Sequence, residues 1–227
     1  MIHPERQRRA YLQAMGVDVW LSRDSADVVA DETEAAIGAA ARTMDWDELR
    51  VCVAECSQCR LAQSRTQTVF GVGNPTADWL IVGEAPGAEE DRRGEPFVGR
   101  AGKMLDEMLR AIGLQRDAVF IANVLKCRPP NNRDPKPDEA AACRAYLERQ
   151  IELVKPRVIL AVGKIAAQNL LQTDDPVGRM RGRQHELNGV PLVVTYHPAY
   201  LLRRPSQKRK SWSDLCLAMR LADGAAP

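Results

Sequence analysis

The sequence predicts an α/β fold: three layers, α/β/α, around a central four-stranded, mainly parallel sheet. Three observations carry this expectation. Short apolar, partly β-branched runs recur at 79–82 (WLIV), 118–124 (AVFIANV), 157–162 and 190–196, each with the texture of a buried strand. Between them lie stretches with apolar residues at three- and four-residue steps, such as Ala101, Met104, Leu105, Met108, Leu109 and Ile112, the pattern of one helix face. The 227 residues, 45% of them hydrophobic, suffice for one sizeable core with a small appendage. Strands alternating with helices pair in parallel, because each helix carries the chain back across the sheet.

Composition removes several classes of function. Lys and Arg total 32 against 30 Asp and Glu, a net charge of +2, so a nucleic-acid partner must be argued from local clusters. No run approaches the ~18 apolar residues of a membrane span. The opening MIHPERQRRAYLQ has charges where a secretory signal has its apolar region, so a cytoplasmic protein without membrane contact is expected. Six cysteines in that setting point to metal or redox chemistry before disulfides.

Taken in order, residues 1–21 read as a short helix bearing Tyr11, Leu12, Met15 and Trp20, and residues 22–44, rich in Ala and Asp, as a tether. This extension, 1–44, carries no recognisable chemistry and is free for a protein partner. The main domain, 45–227, begins near Trp46, where Cys52, Cys56 and Cys59 arrive together. The first strand then enters GEAPGAEEDRRGEPFVGRAG, residues 83–102, which ends in the helix that starts near Ala101. Its glycines, Gly87 among them, admit close backbone approach, and Pro86 and Pro96 stiffen it. Glu84, Glu89, Glu90 and Asp91 place carboxylates beside Phe97, an aromatic suited to stacking on a flat ring or to plugging the core.

The second strand runs into LKCRPPNNRDPKP, whose four prolines and paired asparagines disfavour regular structure. Pro137 opens a helix reaching about Val154, with Asp138 and Glu139 in its first turn. The third strand passes through Gly163 into a helix, the fourth ends at His197 in HPAYLLRR, and a last helix spans 212–221. Parallel strands share one C-terminal edge, so Glu84, Asn123 and His197, each at the end of a different strand, should converge on one pocket.

Cys56-x2-Cys59 and Cys127-x15-Cys143 supply four thiolates, soft donors that suit zinc or an iron-sulfur cluster, between which spacing does not choose. Cys216 lies in the apolar pattern of the last helix and reads as core. Cys52-x3-Cys56-x2-Cys59 also has the spacing of a radical S-adenosylmethionine enzyme, which would leave Cys127 and Cys143 without a role. Arg203, Arg204, Lys208, Arg209 and Lys210 crowd behind HPAYLL, and Arg179, Arg181 and Arg183 form a second cluster; cations beside a pocket suit a polyanion gripped by its phosphates. Leu201 and Leu202 are of the type that fills the gap left by an extruded base.

With GEAPGAEED, GEPFVGRAG, ANVLKCRPPNNR, HPAYLLR and the four cysteines in this order, the chain from Trp46 to Leu217 resembles the iron-sulfur, family 4 uracil-DNA glycosylases. The resemblance implies a base-excision repair enzyme, a hydrolase that flips uracil out of single- or double-stranded DNA, cleaves its N-glycosidic bond and leaves an abasic site. It implies a 4Fe-4S cluster on Cys56, Cys59, Cys127 and Cys143, and a monomer. By the same resemblance Phe97 would stack on uracil with Ala85 and Gly87 beside it, Asn123 would read the base edge, and His197 would donate to a uracil carbonyl. Glu84, Glu90 and Asn132 would be further catalytic positions, and Leu201, Leu202, Arg203, Arg204, Lys208, Arg209 and Lys210 would face DNA. Related glycosylases carry an aspartate where this chain has Ala85, so a binding module that has lost catalysis is the competing expectation. A relative that bonds covalently to the abasic sugar uses a histidine in a loop after the second strand; PPNNRDPKP has none, and no stable adduct is expected.

Overall fold

The computed structural model describes residues 40–224, together with Met15. The chain divides into two units, Met1–Ile37 and Gly38–Pro227; the expected N-terminal helix and most of the tether lie outside the described residues, and the fold below is that of the second unit.

Six strands form one mixed sheet: β1 (Val72–Gly73), β2 (Trp79–Gly83), β3 (Phe120–Asn123), β4 (Val158–Val162), β5 (Gln184–Leu187) and β6 (Val190–Thr195), in the order β1-β3-β2-β4-β6-β5. The four expected strands are the central, mutually parallel ones. The expected strand count is corrected by two short antiparallel edges, β1 on β3 and β5 on β6. β5 alternates exposed and half-buried residues, as an edge does, and its turn into β6 is made by Asn188 and Gly189, both at positive φ (50° and 82°). Asn-Gly between two short strand-length runs is a hairpin signal. The open sheet also disposes of the radical-enzyme reading, which requires a barrel.

β2, β3 and β4 are buried along their whole length, because helices cover both faces. The helices are α1 (Trp46–Glu55), α2 (Ala88–Arg93), α3 (Arg100–Ala111), α4 (Pro137–Val154), α5 (Lys164–Leu171), α6 (Val177–Met180), α7 (Pro198–Arg203) and α8 (Lys208–Ala222). On one face Trp79, Ile81, Ile121, Leu160 and Val193 pack with Leu105 and Leu109 of α3, Leu201 of α7, and Leu215 and Ala218 of α8. α4 and α5 cover the other, with α1 packed on α4. Helix α1 starts on a reciprocal cap: Asp45 accepts from the backbone N–H of Asp47 and Glu48 (3.0 and 2.9 Å), and Glu48 accepts from that of Asp45 (2.9 Å). Trp46, one residue further on, meets Phe70 and Phe120 edge-on at 5.3 and 5.0 Å, tying α1 to the sheet.

Candidate active site

The C-terminal edge of the parallel strands gathers three of the expected side chains. Gly83 and Asn123 are register partners at the ends of β2 and β3. A Cβ on Gly83 would lie 2.5 Å from both Asn123 Oδ1 and the tip of the Phe97 ring, so glycine is what lets amide and phenyl approach one another there. The Phe97 ring in turn lies 5.7 Å, centroid to centroid, from the His197 imidazole. Asn123 is 2% exposed and its Oδ1 is buried without a hydrogen-bond partner. A buried acceptor left unpaired costs about 1–3 kcal/mol, a cost that a ligand N–H would remove.

Phe97 is nearly buried and belongs to the core cluster, yet its φ is 54°, a conformation uncommon for a bulky residue. Two devices hold it. Arg116, anchored to Asp106 at 3.1 Å, donates to the Phe97 carbonyl at 3.2 Å and to that of Pro96. Gly102 presses against the same carbonyl, where a Cβ would sit 1.7 Å from the oxygen. Glu90 closes the loop from the other side: its Oε1 accepts from the backbone N–H of Val98 (2.9 Å) and Gly99 (3.0 Å), and Gly87 leaves room for its other oxygen. Glu90 therefore shapes the wall that carries Phe97.

His197 caps α7: its Nδ1 accepts from the Ala199 backbone N–H at 3.1 Å. A neutral ring bonded in that way carries its proton on Nε2. Burial, with the Arg203 guanidinium adding and the Glu90 carboxylate opposing, lowers its pKa to about 4, so the ring is a neutral donor across the physiological range. The strand end before it is pinned by a buried ion pair. Arg181 forks onto Asp214 (3.0 and 2.7 Å), whose Oδ2 also accepts from Thr195 Oγ1 at 2.9 Å.

Glu84 stands half-buried just past β2. Burial first, then the Asp134 carboxylate, raise its pKa to about 7 against the opposing Lys164. Ala85, its neighbour, is half-buried and brings no carboxylate. Asn132 falls outside the grouping: it is exposed and its Oδ1 accepts from Arg128 Nε at 2.8 Å.

Two expectations about the nucleic-acid face are corrected. Leu201 is fully buried in the core, because it lies on the inner side of α7; it has no surface to offer DNA, whereas Leu202 is 39% exposed. Arg181 is committed to Asp214, with 15% of its side chain exposed, so that member of the second basic cluster is structural, whereas Arg179, in a surface pair with Asp175 at 3.4 Å, and Arg183 are exposed. Arg203, Arg204, Lys208, Arg209 and Lys210 are all exposed.

Cys56 follows α1, Cys59 precedes a 3-10 turn, Cys127 follows β3, and Cys143 lies in α4. Cys127 and Cys143 are buried; Cys127 Sγ accepts from Arg65 Nη1 (3.0 Å) and Cys143 Sγ from the Lys126 backbone N–H (3.3 Å). Burial first, and then the neighbouring Cys59 and Cys56, raise the Cys127 thiol against the opposing Arg65, while burial, with Cys127 and Cys56 adding to it, pushes Cys143 up to about 12. Among the described residues no group of three or more His, Cys, Asp or Glu is arranged to hold a single metal ion. Cys52, one turn before Cys56, donates instead to Tyr146 Oη at 3.9 Å.

Sequence reasoning missed a residue at the heart of this edge. Lys126 is 1% exposed and donates to the Asn123 carbonyl (2.9 Å) and to Gln150 Oε1 (2.6 Å), while Gln150 donates to the Phe70 carbonyl at 2.9 Å. Its only sequence signal was a lysine three residues after the strand-end asparagine.

Comparison with known proteins identifies the family. A model of the Uracil DNA glycosylase superfamily matches residues 70–217. The chain is 46% identical over 170 residues to a type-4 uracil-DNA glycosylase of Archaeoglobus fulgidus, covering 71% of this chain and 85% of that one. It is 43% identical over 182 residues to the type-4 enzyme of Pyrobaculum aerophilum (77% and 93% covered), and 46% identical over 158 residues to that of Thermotoga maritima (69% and 82%). Strand-end amide, strained phenyl and neutral imidazole thus sit within a chain that belongs to the uracil-DNA glycosylase superfamily.

Proposed function

We propose that this protein removes uracil from DNA by hydrolysing its N-glycosidic bond, leaving an abasic site. The observation that carries the reading is the orphaned Asn123 Oδ1 beside Phe97 and His197. Uracil offers an N–H flanked by two carbonyls; the Asn123 amide complements the N–H with its oxygen and a carbonyl with its NH₂. Cytosine presents an acceptor where uracil has that N–H, and would leave the buried oxygen unpaired. Phe97 supplies an apolar face for a ring that has left the stack.

As the glycosidic bond stretches, the sugar becomes cationic and the base anionic. His197 Nε2–H, fixed by the cap on Nδ1, donates to the carbonyl where negative charge collects, without transferring its proton. A donor preorganised in this way contributes ~3 kcal/mol or more. Glu84, when ionised, adds negative charge on the side where the sugar cation and the attacking water lie. The exposed cations from Arg203 to Lys210 hold phosphates, and Leu202 fills the space the base leaves.

The four cysteines fit a 4Fe-4S cluster. Four soft thiolates, two of them buried and accepting N–H bonds, are a ligand set for a polynuclear iron centre. The cluster would tie Cys56 and Cys59 to the proline-rich loop and to α4, holding irregular backbone that packing alone does not. Treating a uracil-containing single strand with the protein and then with alkali should cut at the uracil, and His197→Ala should lower kcat by about 10²–10³. Intact strands after treatment with wild-type protein would leave a DNA-binding module instead.

A further inference from the structure

We propose that the cavity between α3 and α8 is an accessory nucleobase site, taking an unstacked base of the DNA strand outside the uracil pocket; this rests on the protein's being a DNA glycosylase. The cavity holds about 380 Å³, room for a base, and its walls are mostly apolar, including Met104, Met108, Leu201 and Leu215. Ser211 lines it, is 2% exposed, and its hydroxyl has no partner. A helical serine ordinarily bonds back to a carbonyl one turn earlier; this one does not, and its donor and acceptor are both left without a protein partner at the cavity lining. Trp212, 46% exposed, forms part of the wall, with Lys208 and Arg209 beside it. The acidic lining residue, Glu107, is paired with Arg110 at 2.6 Å.

An apolar slot with one free hydrogen-bonding group, an aromatic wall and two cations describes a nucleotide: flat ring inside, phosphates outside. The continuity of charge from Arg203 to Lys210 makes DNA, rather than an apolar peptide, the occupant. Because Leu201 forms one wall and Leu202 points outward beside it, the same short helix separates this cavity from the strand end that carries His197.

The test uses the full chain and three probes of equal length: a uracil-free oligothymidylate single strand, its duplex, and a single strand of abasic sites. Trp212→Ala should weaken the oligothymidylate about tenfold, leave its salt dependence unchanged, and leave the abasic strand unaffected. Ala111→Leu, which fills the cavity from α3, should do the same without touching the tryptophan. Arg209→Ala should weaken both strands and flatten the salt slope by about 0.7. Unchanged oligothymidylate binding in both Trp212→Ala and Ala111→Leu proteins of native melting temperature, or equal losses on the abasic strand, overturns the site. Uracil release by wild-type protein is scored in parallel: its absence refutes the glycosylase reading, while the titrations still decide the cavity.

Discussion

Arg181→Met separates a structural arginine from a DNA contact. Asp214 is completely buried and Arg181 nearly so, with two hydrogen bonds between them and a third from Thr195. Burial already holds the Asp214 carboxyl above its ordinary range despite these partners. Removing the guanidinium therefore strands a buried charge, a change that typically costs about 3–5 kcal/mol; the 15% exposure of Arg181 places the expectation at the lower end, about 3 kcal/mol. In urea unfolding this appears as a lower midpoint at constant slope. The penalty should shrink as pH falls, because Asp214 then takes a proton and no longer needs its partner. Since Thr195 ends the strand two residues before His197, kcat should fall with KM little changed. DNA affinity should keep its dependence on salt. A variant of native stability whose salt slope drops by about 0.9 on duplex DNA would mean that Arg181 grips phosphate and that the ion pair is incidental.

Three further outcomes follow from the site. With the Glu84 carboxyl at about 7 and His197 at about 4, kcat/KM should rise with pH through about 7 and show no separate histidine step near 6.5, and Glu84→Gln should flatten the rise; the same raised value makes Glu84 withdraw stability as pH climbs from about 4.5 to 7, measurable in wild type against Glu84→Gln. Glu90→Ala releases the Val98 and Gly99 amides and should relax base selectivity more than rate, with Glu90→Gln, which keeps an acceptor oxygen, closer to wild type; complete loss of turnover with intact uracil binding contradicts this role. Lys126→Met leaves the Asn123 carbonyl and Gln150 without their donor, about 1–3 kcal/mol for each unpaired buried group, and should weaken inhibition by free uracil; unchanged inhibition would show that the lysine does not position Asn123.

Much of the fold was legible in local pattern. β2, β3, β4 and β6 announce themselves as buried apolar runs, since a strand covered on both faces needs no alternation. Helices α3 and α4 fall within a residue of where periodicity and Pro137 put them. The edge strands escaped notice for opposite reasons. β1 is two residues long, below any periodic signal, whereas β5 is largely polar because an edge faces water, and its one local signal, the Asn188-Gly189 turn, went unread. Leu201 and Leu202 show the limit on a finer scale: neighbours of identical chemistry, one in the core and one in solvent, separated only by the phase of α7.

By itself the sequence determined the chemistry available at the rim: an asparagine, a histidine and a glutamate at three strand ends, a phenylalanine in a stiff loop, four thiolates and a run of cations. Tertiary structure decided which of these are free to act. It spent Arg181 on Asp214 and Glu90 on two backbone amides, left the Asn123 oxygen unpaired, and fixed the proton of His197 on Nε2. Those outcomes depend on which group lies within 3 Å of which other in a medium that excludes water, and residues far apart in the chain acquire that relation only when the sheet closes.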